Sequence, residues 1–114
     1  MKINHSEMIE EKPVDMEGAA DVTIRWLVSS ADGAPNFAMR QFEVAPGGHT
    51  PYHSHPFEHI VYVVSGTGAV MEGDQEHPLV AGDVIFVQPD EEHQFLTRGP
   101  DPMRFLCLVP NSAY

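Results

Sequence analysis

Hydrophobic and polar positions alternate along this chain in short runs, and glycine and proline punctuate nearly every interval between them. Val22-Thr23-Ile24-Arg25-Trp26-Leu27-Val28 is rich in β-branched and aromatic residues and predicts the first clear strand. Ser29 to Asn36 is turn material, and Phe37 to Val44 alternates well enough to predict a second strand, ended by Ala45-Pro46-Gly47-Gly48. His53 and His55 are placed on a short strand broken by Pro56. Ile60 to Val64 is an almost continuous apolar strand stopped by Ser65-Gly66. Gly68 to Glu72 and His77 to Val80 predict a hairpin around Glu72-Gly73-Asp74-Gln75. Val84 to Val87, His93 to Thr97 and Met103 to Val109 supply the last strands. No segment carries a helical period. Many short strands with Gly/Pro turns predict an all-β sandwich or barrel.

With 114 residues the chain is expected to form one domain with one core. Residues 1–20, polar and charged at their start, are expected to be an N-terminal arm or edge strand, and residues 21–114 the barrel domain. No apolar run is long enough to span a bilayer, and the start of the chain has no signal-peptide pattern. A single cysteine cannot form an intrachain disulfide, which suits a reducing compartment, so a cytoplasmic location is expected. Six basic residues against seventeen acidic ones give a net charge of −11. That surface repels phosphate backbones and anionic lipid, so neither nucleic acid nor a membrane is expected as partner.

Chemistry concentrates in His53-Ser54-His55-Pro56-Phe57-Glu58-His59 and the distant His93. Alternate residues of a strand share a face, so His53 and His55 project together. Imidazole is the commonest ligand for first-row transition metals, and this grouping points to a metal site. Glu58 competes with His59 for one inward position, because neighbours on a strand face opposite ways. Glu58 is then either outward-facing or a hydrogen-bond partner behind the ligands. His49, His77 and His5 read as loop or solvent-facing residues.

The spacing around these histidines resembles the cupin superfamily. Gly47, His53, His55, His59 and Gly66 match the intervals of its first motif, with His59 where glutamate usually stands, and six residues separate His59 from Gly66. Gly82-Asp83 and His93 fit the second motif. Asp90 replaces a turn glycine of that motif, and Thr97 an asparagine. The resemblance spans roughly Asn36 to Pro110 and implies a double-stranded β-helix, or jelly roll. It also looks like the small single-domain cupins whose metal is held by four histidines, here His53, His55, His59 and His93. The resemblance implies manganese as the ion, with iron or zinc as alternatives. A homodimer is expected too, with Trp26, Leu27 and Val28 on the first strand as a candidate exchangeable edge.

Parity nominates further pocket residues. If His93 and His59 point inward, so do Phe95 and Val61. On the last strand either Phe105, Cys107 and Val109 or Leu106 and Leu108 look inside, and Arg40 competes with Gln41 for one inward slot, where an arginine would suit a carboxylate. The expected pocket is therefore Arg40, Val61, Phe95, Phe105 and Cys107. The leading functional expectation is a metal-dependent oxidoreductase of the dioxygenase type, acting on a small, largely apolar organic substrate at an open four-histidine site. Two others stand beside it: a non-redox cyclase or isomerase resembling the polyketide cyclases, and a small-molecule-binding cupin without catalysis.

Overall fold

The computed structural model describes residues 1–113 and is almost entirely β-structure; Tyr114, the last residue of the expected barrel domain, lies outside the described residues. Nine strands lie among the described residues: β1 (Lys12–Pro13), β2 (Ala20–Val28), β3 (Phe37–His49), β4 (His59–Ser65), β5 (Thr67–Glu72), β6 (Gln75–Val80), β7 (Val84–Val87), β8 (Gln94–Thr97) and β9 (Met103–Pro110). Helical structure among the described residues is limited to three 3-10 turns, Ser6–Met8, Ser30–Asp32 and Asn111–Ala113. The strands form one curled antiparallel sheet in the order β6-β5-β8-β3-β9-β4-β7, with β2 also on β3 and β1 on β2. This is the expected all-β, jelly-roll architecture.

Alternation is strict where the sheet curls over the core. On β4, His59, Val61 and Val63 are buried while Ile60, Tyr62 and Val64 are exposed. On β9, Met103, Phe105, Cys107 and Val109 are buried and their neighbours are not, so register decides between the two faces left open by the sequence. Arg40, Phe42 and Val44 of β3 stand opposite Cys107, Phe105 and Met103. The Phe105 ring packs on Phe42 at 5.3 Å and on Phe95 at 4.7 Å between centroids. Each fully buried side chain of this kind contributes roughly 1.5–3 kcal/mol.

Two local features depart from the expectation. Strand β3 does not stop at Val44 but runs on through Ala45-Pro46-Gly47-Gly48 to His49. It continues because β2 follows it with a register shift between Ala20 and Val22, and a Cβ at Gly48 would lie 2.6 Å from the Ala20 carbonyl oxygen. His53 and His55 lie on no strand. Only one bridge, His53 opposite His93, ties this segment to the sheet. Strand β2 is covered by β3 on one side along its length and by β1 on the other side only in part. It pairs with β3 from Ala20 to Val28 and with β1 at Thr23 and Ile24.

Exposed apolar side chains gather elsewhere, on the outer face of β4 and β7. Ile60, Tyr62, Val64, Val84 and Phe86 are 43 to 69% exposed. Ile60 stands opposite Phe86, and Tyr62 opposite Val84, so the patch is continuous. Leu108 and Leu106 extend it onto β9, opposite Ile60 and Tyr62.

Candidate metal centre

The four histidines come from three places in the fold. His59 begins β4, His93 immediately precedes β8, and His53 and His55 sit in the connection between β3 and β4. Pro51 and Pro56 remove backbone donors from that connection, so it cannot form a regular ladder. It is stitched down by single bonds instead. His53 and His93 exchange backbone hydrogen bonds of 3.2 and 2.9 Å, Thr50 N–H donates to the Phe95 carbonyl at 2.9 Å, and Phe95 N–H donates to Thr50 Oγ1 at 2.9 Å. Asp90, in the left-handed conformation with φ 67°, donates its N–H to the His55 carbonyl at 2.6 Å. An Asp at the turn-glycine position is tolerated because short polar side chains visit this conformation at modest cost. Thr97, at the other unusual position, is buried; its hydroxyl donates to the Val44 carbonyl at 2.6 Å and accepts from Met103 N–H at 3.3 Å.

The side chains converge. One ligand nitrogen from each of His53, His55 and His93 falls within 4.8 Å of the other two. His59 completes the ring of imidazoles, with its centroid 5.0 Å from that of His93 and 5.2 Å from that of His55. The Nε2 atoms of His53 and His55 are 3.2 Å apart. Nitrogens bound to one ion at about 2.0–2.1 Å sit about 3.0–3.4 Å apart, so this pair already has a chelating separation. His93 Nδ1 is 2.9 Å from the Glu91 carbonyl and donates to it, which leaves Nε2 as the bare acceptor facing the cluster. His59 Nδ1 is buried and has no hydrogen-bond partner. Phe57 fills the space between, stacked on His55 at 4.8 Å and tilted against His59 at 5.1 Å.

Burial and neighbouring charge disfavour the protonated forms of His53, His55 and His59. Burial first, then the neighbouring His55, His93 and Arg40, pushes His53 from the usual 6.5 down to about 4. Burial and then His93, Arg40 and the other two histidines push His59 to about 3. His55 is lowered for the same reasons, burial leading. All three shifts favour the neutral ring, which is the state a metal ligand needs. Converging imidazole nitrogens, His59 Nδ1 among them without a partner, fit a divalent transition ion. A cluster of histidines and no acid among the close ligand atoms suits nitrogen-preferring ions better than calcium or magnesium.

The cluster forms one end of a cavity of about 270 Å³. Arg40, Phe95, Phe105 and Cys107 line it, whereas Val61 is fully buried in the core and does not reach the lining. Glu58 is solvent-exposed, one residue out of phase with His59. His49 stands at the end of β3 with Nδ1 3.3 Å from Gln94 Nε2, His77 pairs with Glu72 at 2.9 Å, and His5 caps the first 3-10 turn; none of the three lines the cavity. Sequence reading left out Trp26, Phe42 and Phe57 as lining residues. Parity could have found two of them, since Phe42 shares phase with Arg40 and Phe57 with the three preceding and following histidines. Trp26 needed the β2–β3 register, which places it opposite Arg40.

The sequence model of the cupin domain matches residues 40–109, more than half of the chain. This chain belongs to the cupin family. Among solved structures, the cupin is similar to the polyketide cyclase RemF from Streptomyces resistomycificus, with a TM-score of 0.92 and 34% identity over 97% of this chain and 80% of that one. Among curated relatives it is 32% identical, over 71 residues, to the 1-methylthio-D-xylulose 5-phosphate methylsulfurylase of Rhodospirillum rubrum, covering 62% of this chain and 46% of that protein. It is 28% identical over 113 residues to the oxalate-binding protein of Thermotoga maritima, covering 96% and 93%. The chain thus spans about half of the methylsulfurylase but nearly all of the oxalate-binding protein. No helix among the described residues is long and apolar enough to cross a membrane.

Proposed function

We propose that this cupin is a metal-dependent enzyme acting on a small, largely apolar organic molecule, with one divalent ion held by His53, His55, His59 and His93. The observation that carries the reading is the convergence of imidazoles at one end of an aromatic cavity. A bound ion there would supply Lewis acidity to a carbonyl or enol oxygen and, if redox-active, access to oxygen chemistry. The chain's own residues do the rest. Glu91 fixes the His93 tautomer through its carbonyl, Phe57 holds His55 and His59 apart, and Phe42, Phe95 and Phe105 exclude water from the substrate space.

Of the reactions open to such a site, the likeness to RemF across 97% of the chain favours the non-redox branch, a cyclase or isomerase. A dioxygenase on manganese or iron is the second reading. It is supported by the uncharged all-nitrogen donor set, which leaves the ion's own charge uncompensated and favours its reduced state. The two separate on a 1,3-diketone probe, benzoylacetone. Chelated protein reloaded separately with zinc, manganese and iron should shift the probe's enol absorbance in every form and consume no oxygen. Oxygen uptake with manganese or iron and none with zinc would move the site to the dioxygenase reading. No metal-dependent spectral shift in any form would contradict both.

We also infer that the protein pairs with a second copy through the outer face of β4, β7 and β9 rather than through Trp26, Leu27 and Val28. The exposed Ile60, Tyr62, Val64, Val84 and Phe86 present roughly 500 Å² of side chain per copy, and two such faces reach the lower bound of about 1,000 Å² for a specific interface. Light scattering should give twice the 12.6 kDa chain mass, and Ile60→Lys should halve it. A monomer at micromolar concentration overturns the inference.

A further inference from the structure

We infer that Arg40 is an anion-binding residue of the cavity, and that the substrate therefore carries a carboxylate on an aromatic body. The inference rests on reading the cavity as a substrate site and names the class of molecule that enters it. Arg25, Arg98 and Arg104 each pair with a glutamate. Arg40 alone among the arginines has no carboxylate partner among the described residues, in a chain with seventeen acidic residues to offer. Its guanidinium lies instead 5.0 Å from the centroid of the Phe42 ring and 5.7 Å from that of Trp26.

Among the described residues, the one polar partner of the guanidinium is weak. Nη2 donates to Cys107 Sγ at 3.1 Å, and Nε is buried without an acceptor. Burial pushes the Cys107 thiol up, against the opposing pull of Arg40, so the sulfur is a neutral acceptor and not a counter-ion. A cation in an aromatic, half-enclosed space with most of its five donors unused is costly to leave so. Stacking on two rings compensates part of that cost and also fixes the plane of the fork. A planar carboxylate is the group that such a fork recognises through paired charge-assisted hydrogen bonds. The aromatic residues Trp26, Phe42, Phe95 and Phe105 around it suit a ring behind the carboxylate. Arg40 and the histidines line the same cavity, so a molecule held by its acid at Arg40 presents its remaining functional groups to the imidazoles.

Trp26, the single tryptophan, reports on this space. Metal-loaded protein is titrated with benzoate and with benzamide, its neutral near-isostere, by Trp26 fluorescence, and both titrations are repeated after chelation. Benzoate should bind at least about tenfold tighter than benzamide with or without metal. Arg40→Gln should abolish that preference while metal content stays at the wild-type level. Arg40→Lys, which keeps the charge and loses the planar fork, should retain only part of it. If Arg40→Gln does not fold, the Arg40→Lys loss and the wild-type preference still decide. Equal binding of the two probes, or a preference that survives in Arg40→Gln, overturns the inference. A preference that needs the metal and ignores Arg40 would place the anion on the ion, leaving the proposed metal site standing. A preference that follows Arg40 in a protein that takes up no metal would keep the inference and sink the metal site.

Discussion

The two ends of the barrel interior are built from the same strands and do opposite things. Followed inward, β3 offers Val44, Phe42 and Arg40; β9 offers Met103, Phe105 and Cys107; the segment through β8 offers Thr97, Phe95 and His93; and β4 offers Val63, Val61 and His59. One end is sealed: Val44, Val63 and Met103 have no exposed surface, and the single hydroxyl there, Thr97, has both its partners. The other end gathers polar groups that the protein itself leaves unpaired, His59 Nδ1 and Arg40 Nε. The aromatic layer of Phe42, Phe95 and Phe105 divides them. The lesson is that stability and chemistry are separated along each strand by only four residues. Unsatisfied polarity is concentrated where a ligand can answer it.

That contrast can be broken first at the sealed end. Met103→Ala should cost about 2–5 kcal/mol, because a fully buried side chain leaves a cavity that rigid strands cannot collapse. His59→Ala, measured without metal, should cost less, since it removes a side chain whose buried Nδ1 has no hydrogen-bond partner. Urea unfolding of both variants in chelator checks this, and equal losses would erase the distinction. Metal is the next lever. At a hundredfold excess over its dissociation constant, a bound ion adds about 2.7 kcal/mol, so chelation should lower the melting temperature by roughly ten degrees at this chain length. His93→Ala should make the melting temperature insensitive to chelator, and Met103→Ala should not.

Thr97→Val should cost about 1–3 kcal/mol, since it leaves the Val44 carbonyl and the Met103 N–H without their partner in a dry interior. A further lever is pH. Folding lowers His53 to about 4 and His59 to about 3, both from 6.5, so below about 6.5 the unfolded chain binds more protons than the folded one. Stability of the metal-free protein should thus be full above pH 6.5 and decline as pH falls toward 4 and then 3. Urea midpoints between pH 7.5 and 4.5 test the sign, and His59→Asn should flatten the slope. A midpoint that rises on acidification contradicts the direction.

Much of this arrangement was legible in the sequence, for local reasons. β-branched alternation marked Ile60–Val64 and Val84–Val87, and the Glu72–Gln75 turn marked its hairpin. What escaped was non-local. Proline and glycine at Ala45–Gly48 read as an ending, yet β2 follows the chain there through a register shift that no local signal announces. His53 and His55 share a face without a strand, because Pro51 and Pro56 leave a single bridge to do the work of a ladder. Arg40 could not be told from Gln41 until pairing with Cys107 set its phase. Trp26 read only as part of a candidate edge, because its place in the cavity depends on which strand it pairs with.

Of the four histidines, His59 is the one whose role most needs measuring, because the tightest nitrogen cluster is formed by the other three. X-ray absorption on protein holding one equivalent of zinc or manganese tests the central claim directly. The account predicts one ion per chain with four imidazole nitrogens in its coordination shell, falling to three in His59→Ala and unchanged in Glu58→Ala. A shell that is unaltered by His59→Ala, or that loses an oxygen ligand in Glu58→Ala, would contradict it.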